Sequence, residues 1–255
     1  MIRLKTEDEI RKIRKAAKIV YETLEMVGEH VRPGVKLGEL DELAEKFILS
    51  KGAIPGFKGL YGFPGTLCLS PNDMVVHGIP NGHVLQEGDI LSVDCGAIVD
   101  GYYGDAARTF PVGEIEEGIQ KLLDVTRTSL EKGIDQCQPG NHLYDIGHAI
   151  QTYCESFGYG VVRELVGHGI GTKLHEDPQV PNYGVQGTGP ILKPGLCLAI
   201  EPMINAGVKE VYTAEDGWAV HTRDGKPSAH FENTVVITDN GPVVLSQGGE
   251  TIFDS

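Results

Sequence analysis

The chain has 255 residues, 40% of them apolar, and its 22 Lys and Arg against 36 Asp and Glu leave a net charge of −14 at pH 7. That length holds one large domain or two small ones, and the acidic balance argues against nucleic-acid binding through the general surface. No run approaches the roughly 20 apolar residues of a membrane span, and no apolar leader opens the chain. Cysteines at 68, 95, 137, 154 and 197 form no C-x-x-C. They read as reduced thiols in a cytoplasmic protein.

In chain order, Thr6 to Glu9 has the form of a capping box. Behind it Ile10, Ile13, Ala17, Val20, Leu24 and Val27 keep helical spacing. Arg3, Lys5, Arg11, Lys12, Arg14, Lys15 and Lys18 make this opening basic. A solvated helix face is the plain reading, and a transient contact with the ribosome is the other. A second helix reads from Leu37 through Leu40, Leu43, Ala44, Phe47 and Ile48, stopping near Gly52.

The apolar run Ile90-Leu91-Ser92-Val93 ends in Asp94, and Asp100-Gly101 then marks a two-residue hairpin turn. A tight turn sets Val99 opposite Tyr102 and Gly96 opposite Asp105. Side chains alternate along a strand. Asp94 and Asp105 therefore become diagonal neighbours on one face, roughly 7–8 Å apart, with Gly96 leaving the space between them empty. A third helix runs through Ile119, Leu122, Leu123 and Leu130 to Gly133. A fourth runs through Leu143, Ile146, Ile150, Tyr153 and Phe157 to Gly158. Glu201 ends the run Leu196–Ile200, and Glu232 opens Asn233–Ile237. Asp224-Gly225 and Asn240-Gly241 are further hairpin signals.

Much of this is said twice. Pro33-Gly34, Leu37, Ser50 and Gly52 recur as Pro139-Gly140, Leu143, Ser156 and Gly158 at an offset of 106, and Leu85-x-x-Gly88 before Asp94 recurs as Leu192-x-x-Gly195 before Glu201 at 107. The expectation is one α/β (α+β) domain over residues 1–255. It has pseudo-twofold halves at roughly 6–110 and 115–205, and closing strands at 210–245. The site lies between the halves.

Buried unpaired carboxylates cost several kcal/mol or lose their charge, so Asp94, Asp105, Glu201 and Glu232, with His168 in Gly167-His168-Gly169-Ile170-Gly171, point to a shared cation. The donor set is hard and oxygen-rich. It suits Mn²⁺, Fe²⁺ or Co²⁺, with Zn²⁺ also accepted. Four carboxylates exceed what a single small divalent ion neutralises, and two ions about 3.5–4 Å apart balance them and would activate a water. His77, in Val76-His77-Gly78-Ile79-Pro80, and His175, seven residues after His168, belong with this group. The other histidines singled out (His30, His83, His142, His148 and His221) read as surface or structural residues.

The motifs Val76–Pro80, Ser92-Val93-Asp94-Cys95-Gly96, Gly104-Asp105-Ala106-Ala107-Arg108-Thr109-Phe110, Gly167–Gly171, Glu201-Pro202 and His230-Phe231-Glu232-Asn233-Thr234 together resemble type I methionine aminopeptidases. The resemblance covers essentially the whole chain. It implies the pita-bread fold, a curved and mainly antiparallel sheet flanked by helices. It also implies hydrolysis of the bond after an initiator methionine on nascent polypeptide N-termini, favouring a small second residue. Asp94 would chelate one metal, Asp105 and Glu232 would bridge both, and His168 and Glu201 would complete the other. Glu201 would also relay a proton, His175 would steady the scissile carbonyl, and His77 would contact substrate beside the scissile amide. Cys68, Phe63, Leu60, Leu174 and Trp218 would line the methionine pocket, with ordinary core packing as the alternative. Asn72 and Ser228 would hold a Na⁺ or K⁺ ion.

Relatives often carry aromatic residues at the positions of Leu60 and Leu174 and Tyr at that of Phe63. A zinc-binding N-terminal extension is expected to be absent, and so is a long insert between the last two glutamates, where 31 positions separate Glu201 from Glu232. Both features match a short bacterial form, expected as a monomer. The competing readings are an X-Pro aminopeptidase or prolidase on the same fold, and a non-catalytic binding protein of that fold.

Overall fold

Thr6 caps the first helix in both directions: its hydroxyl accepts from the Glu9 N–H at 3.4 Å, and the Glu9 carboxylate accepts from the Thr6 N–H at 2.9 Å. These bonds satisfy donors that a helix start leaves orphaned. In the computed structural model, which describes residues 1–254, helix α1 spans Glu7–Gly28 and α2 spans Leu37–Ser50. Every apolar position picked out by spacing in α1 is buried. Lys5 and Arg14 depart from the solvated basic face. Lys5 pairs with Glu176 at 2.7 Å, and Arg14 is wholly buried, donating to the carbonyls of Leu245, Gln247 and Gly249 and to the Asp254 carboxylate. Both charges are spent pinning distant segments to the chain start.

After α2 come short β1 (Ile54–Pro55), a 3₁₀ turn at Leu60–Gly62, β2 (Leu67–Pro71), β3 (Met74–Val76) and the long hairpin β4 (Ile90–Val99) and β5 (Tyr102–Pro111). Asp100 and Gly101 both take positive φ, 51° and 78°, as a tight two-residue turn requires. The register is the expected one, Gly96 opposite Asp105 and Val99 opposite Tyr102. Asp94 lies mid-strand and not at a strand end, because β4 continues five residues past it to the turn. β1 and β2 both pair along the other edge of β4.

The second half repeats the order. Helices α3 (Glu117–Asp135) and α4 (Leu143–Glu155) precede β6 (Gly160–Val161), β7 (Gly167–Gly169), β8 (Glu176–Val180), β9 (Cys197–Ile200) and β10 (Met203–Asn205). The closing strands are β11 (Val211–Thr213), β12 (Val220–Thr222), β13 (Ser228–His230), β14 (Asn233–Thr238) and β15 (Gly241–Val244). α4 stops earlier than its spacing suggested; Phe157 is 40% exposed beyond its end. The strands form a four-stranded sheet around β4, a five-stranded sheet β15-β14-β9-β7-β8, and two three-stranded sheets, β13-β10-β6 and β11-β12-β3. The pairings within them are antiparallel, and with the helices they make the pita-bread architecture.

Two turns differ from expectation. Asp224-Gly225 reverses the chain but joins strands of different sheets, and the β14–β15 turn is Asp239-Asn240, with Gly241 already paired to Thr238.

Matching contacts tie each half together. Gly34 N–H donates to the Leu85 carbonyl at 2.8 Å and Gly140 to that of Leu192 at 3.0 Å; Leu37 donates to His83 at 3.1 Å and Leu143 to Pro190 at 2.8 Å. Gly88 and Gly195 both hold φ near 89°, at 89° and 88°, where a β-carbon is disfavoured. Each half buries its own apolar cluster, and a third cluster lies between them, joining Ile10, Ile13 and Ala17 to Phe63, Leu174, Cys197 and Val236.

Candidate metal centre

Register alone lines up the first half of the site. Cys68 on β2 pairs with Asp94 on β4, and Asp94 pairs with Ala107 on β5. Ala107 and Glu232 then exchange backbone bonds at 3.4 and 3.0 Å. One row therefore runs Cys68, Asp94, Ala107, Glu232, with the small Ala107 leaving room between two carboxylates. Asp105 sits beside this row. Its N–H donates to Thr234 Oγ1 at 3.1 Å, and the Thr234 hydroxyl donates to its carbonyl at 2.7 Å.

The second half supplies the other donors by the same geometry. His168 on β7 pairs with Ala199 on β9, so Glu201, two residues on, is its diagonal neighbour. Ile200 pairs with Asn233, which brings Glu201 beside Glu232. His168 Nε2 stands 3.5 Å from Glu201 and 3.7 Å from Asp105. Its Nδ1 lies 2.9 Å from the Gly169 carbonyl. A proton on Nδ1 for that bond leaves the Nε2 lone pair facing the carboxylates, which is the arrangement a metal-binding histidine uses.

The electrostatics ask for cations. Burial pushes Asp94 up to about 7. Burial first, and then the charges of the other carboxylates, hold Asp105, Glu201 and Glu232 well above the usual range. Like charges crowded in a low-dielectric site cannot all ionise without a counter-charge. Oxygens of Asp94, Asp105 and Glu232 are buried without hydrogen-bond partners, and ligand atoms of Asp105, His168 and Glu232 lie within 4.8 Å of one another. The residues fit divalent cations: hard oxygen donors, one neutral imidazole, and orphaned lone pairs that nothing in the protein satisfies.

A cavity opens onto these groups, lined by Phe57, Leu60, Tyr61, Phe63, Cys68, His77, Leu174, His175 and Trp218 together with Asp94, Asp105, His168, Glu201 and Glu232. All five expected pocket residues are there and also belong to the apolar cluster between the halves, so lining and packing are one role. Phe63 and Trp218 meet edge to face at 5.2 Å. His175 stands against His168 with ring centroids 4.5 Å apart. His77 takes φ 61°, an uncommon conformation for a residue with a side chain. Burial lowers the pKa of both His77 and His175, keeping each a neutral imidazole with one N–H to donate.

Three contributors escaped the sequence reading. Phe57 occupies the space beside Gly96 that was expected to be empty: a β-carbon on Gly96 would fall 2.5 Å from its ring. Tyr61 lies over His175 at 6.2 Å, held at φ 52° in the 3₁₀ turn. His230 reaches the carboxylates from behind, and its spacing of two from Glu232 was the available signal. Asn72 and Ser228 meet through a bond from the Ser228 N–H to the Asn72 carbonyl at 2.9 Å. The Asn72 side chain is already engaged by Asp89 and Ile90. Ser228 faces Asn205, whose Oδ1 is buried without a partner.

A model of metallopeptidase family M24 matches residues 11–239. The methionine aminopeptidase of Clostridium acetobutylicum is 56% identical over 247 residues, covering 96% of this chain and 99% of that protein. The crystal structure of methionine aminopeptidase from Thermotoga maritima matches with a TM-score of 0.96 at 46% identity, over 97% of this chain and 100% of that one. A prolidase from Pyrococcus furiosus shares the fold, with a TM-score of 0.79 at 24% identity, and the match spans 66% of its chain.

Proposed function

We propose that this chain, which belongs to metallopeptidase family M24 and within it to the methionine aminopeptidases, removes the initiator methionine from polypeptide N-termini and acts as one catalytic domain built of two related halves. The observation that carries the reading is the convergence of Asp94, Asp105, His168, Glu201 and Glu232 at the floor of an apolar-walled cavity. Asp94 would hold one divalent ion, His168 and Glu201 the other, and Asp105 and Glu232 would be shared by both. When bound, the pair of ions polarises the scissile carbonyl and acidifies the attacking water.

The remaining steps fall to side chains. Glu201 accepts the proton of the attacking water on a carboxylate oxygen and returns it to the leaving amine. His175 donates its ring N–H to the oxyanion that develops on the scissile carbonyl. His77 contacts the substrate beside the scissile amide and orients it. Phe63, Cys68, Leu60, Leu174 and Trp218 enclose the methionine side chain, where sulfur and aromatic surfaces suit a thioether. Crowding at the cavity mouth limits the second residue to small side chains.

Mn²⁺, Fe²⁺, Co²⁺ and Zn²⁺ all suit the donor set. A monovalent ion between the Asn72 carbonyl, Ser228 and the orphaned Asn205 oxygen is part of the same reading. No helix among the described residues is long and apolar enough to cross a membrane, and a cytoplasmic monomer meeting nascent chains is the setting proposed. Arg11, Lys12, Lys15 and Lys18 are what α1 keeps for a ribosome contact, with Arg14 buried within it and Lys5 buried just ahead of it. Reconstitution with each metal, followed by assay of Met-Ala-Ser, Met-Lys-Ser and Ala-Pro peptides, tests the proposal. Methionine released from Met-Ala-Ser alone supports it. Release of Xaa from Xaa-Pro peptides without methionine preference would transfer the chain to the prolidase reading, and no turnover with any metal would leave a binding protein.

A further inference from the structure

We infer that His230 is a sixth donor to the metal centre, binding one ion through its ring nitrogen together with Glu201 and Glu232. This rests on the metallopeptidase reading and extends its ligand set.

His230 is 1% exposed, and neither ring nitrogen has a hydrogen-bond partner. A buried imidazole with both nitrogens idle forfeits about 1–3 kcal/mol for each polar atom left unsatisfied, so a native protein seldom keeps one without a use. Its Nε2 stands 3.9 Å from Glu201 Oε2 and 3.9 Å from Glu232 Oε2. That is too long for a hydrogen bond. It is the separation expected of two donors on one ion, since metal–ligand bonds of about 2.0–2.2 Å place a pair of ligands up to about 4.4 Å apart. Donor atoms of Glu201, His230 and Glu232 all fall within 4.8 Å of one another.

The backbone leaves His230 little freedom to point elsewhere. Its N–H donates to Thr109 Oγ1 at 2.9 Å, and the Thr109 hydroxyl donates back to its carbonyl at 2.9 Å. Thr109 is itself anchored to Ser92 Oγ at 2.9 Å, on the strand that carries Asp94. His230 closes β13 and Glu232 directly precedes β14, and the two side chains converge with Glu201 on one point. With His168, the centre gains nitrogen donors from two strands, and the ion nearer Glu201 becomes richer in nitrogen than the one at Asp94.

Titration of the metal-free protein with Mn²⁺ by calorimetry, for the wild type, H230A and H230F, tests this. The Phe variant keeps a ring of similar volume and loses the nitrogens. Both variants should bind one of two Mn²⁺ ions about tenfold more weakly or worse, and electron spin-echo spectra should lose the modulation of one bound ring nitrogen. Unchanged affinity and spectra in both variants would overturn the assignment. So would loss in H230A with retention in H230F, which would trace the effect to packing. A wild type that binds no Mn²⁺ would defeat the metallopeptidase reading, and the inference with it.

Discussion

Ala107 and Glu232 exchange backbone hydrogen bonds, at 3.4 Å in one direction and 3.0 Å in the other, and this rung fastens the hairpin of the first half to the closing strands of the second. It brings Glu232 into line with Asp94, which pairs with the other side of Ala107. Glu232→Gln keeps the rung and removes a carboxylate charge from the proposed metal centre. It should lower kcat by on the order of 10³-fold, the several kcal/mol that charge stabilisation at such a site supplies. Turnover of Met-Ala-Ser, alongside a Mn²⁺ titration that shows weakened binding, checks this; near-normal kcat would remove Glu232 from the bridge.

The metal-free protein should lose stability as pH rises above neutrality. Asp94 is pushed up to about 7, and Asp105, Glu201 and Glu232 are held higher than ordinary carboxyls. Acids with a raised folded pKa stabilise fully below the unfolded value, about 4, and that contribution is lost as pH climbs through the folded pKa. His168 and His230 run the other way. Their pKa values, pushed down to about 4 and about 3, give stability above the unfolded value of 6.5 that is lost as pH falls. Above about pH 6.5 the carboxyls act alone, at about 1.4 kcal/mol per pH unit for each one still protonated. Thermal melts of chelator-treated protein from about pH 6.5 to about 8 should fall, and saturating Mn²⁺ should flatten them.

His175→Ala should reduce kcat about 10²–10³-fold with KM little altered, because the donated hydrogen bond forms with the oxyanion and not with the resting carbonyl. Steady-state assays on Met-Ala-Ser decide it. A rise in KM with kcat intact would make His175 a simple binding group.

Gly96→Ala should destabilise the fold and damage the pocket together. The added β-carbon would meet the Phe57 ring at 2.5 Å on a wall shared with the cavity. Overpacking of this kind costs about 1–3 kcal/mol. A lower Tm with a raised KM is the expected pair, and Gly96→Ala with Phe57→Leu should recover part of both.

Lys5→Met leaves Glu176 without its 2.7 Å partner, where the Lys side chain is 2% exposed and the Glu side chain 12%. Breaking such a pair costs about 3–5 kcal/mol. Since Glu176 follows His175 in the chain and accepts the Lys173 N–H at 3.2 Å, activity should fall with stability. Denaturant melts of Lys5→Met against Lys5→Met with Glu176→Gln check this: the double variant should regain stability once the stranded charge is gone.

The helices and the β4–β5 hairpin were readable because each obeys a local rule. The Thr6–Glu9 box and the 3.6-residue spacing of Ile10 to Val27 are set within one element. The hairpin register followed from Asp100-Gly101, whose positive φ angles, 51° and 78°, admit a single tight turn. Where the same reasoning reached across a turn it weakened: Asp224-Gly225 has hairpin chemistry, yet the strands beside it pair with other partners. Arg14 looked like part of a solvated stripe because helical spacing does not reveal that its face meets residues 245–254, and Lys5 because nothing near it in the chain reveals Glu176.

The amino-acid order, read along the chain, was enough for the helices, the β4–β5 register, the repeated halves and the choice of carboxylates that the fold brings together, since turns, caps and periodicity act over a few residues. Phe57 beside Gly96 and Tyr61 over His175 came only from the folded molecule, and so did the approach of His230 to Glu201, which its spacing from Glu232 hinted at without showing. These contacts join residues far apart in sequence, and their partners are chosen by how the two halves pack at the Ala107–Glu232 rung. A local pattern carries no term for that choice.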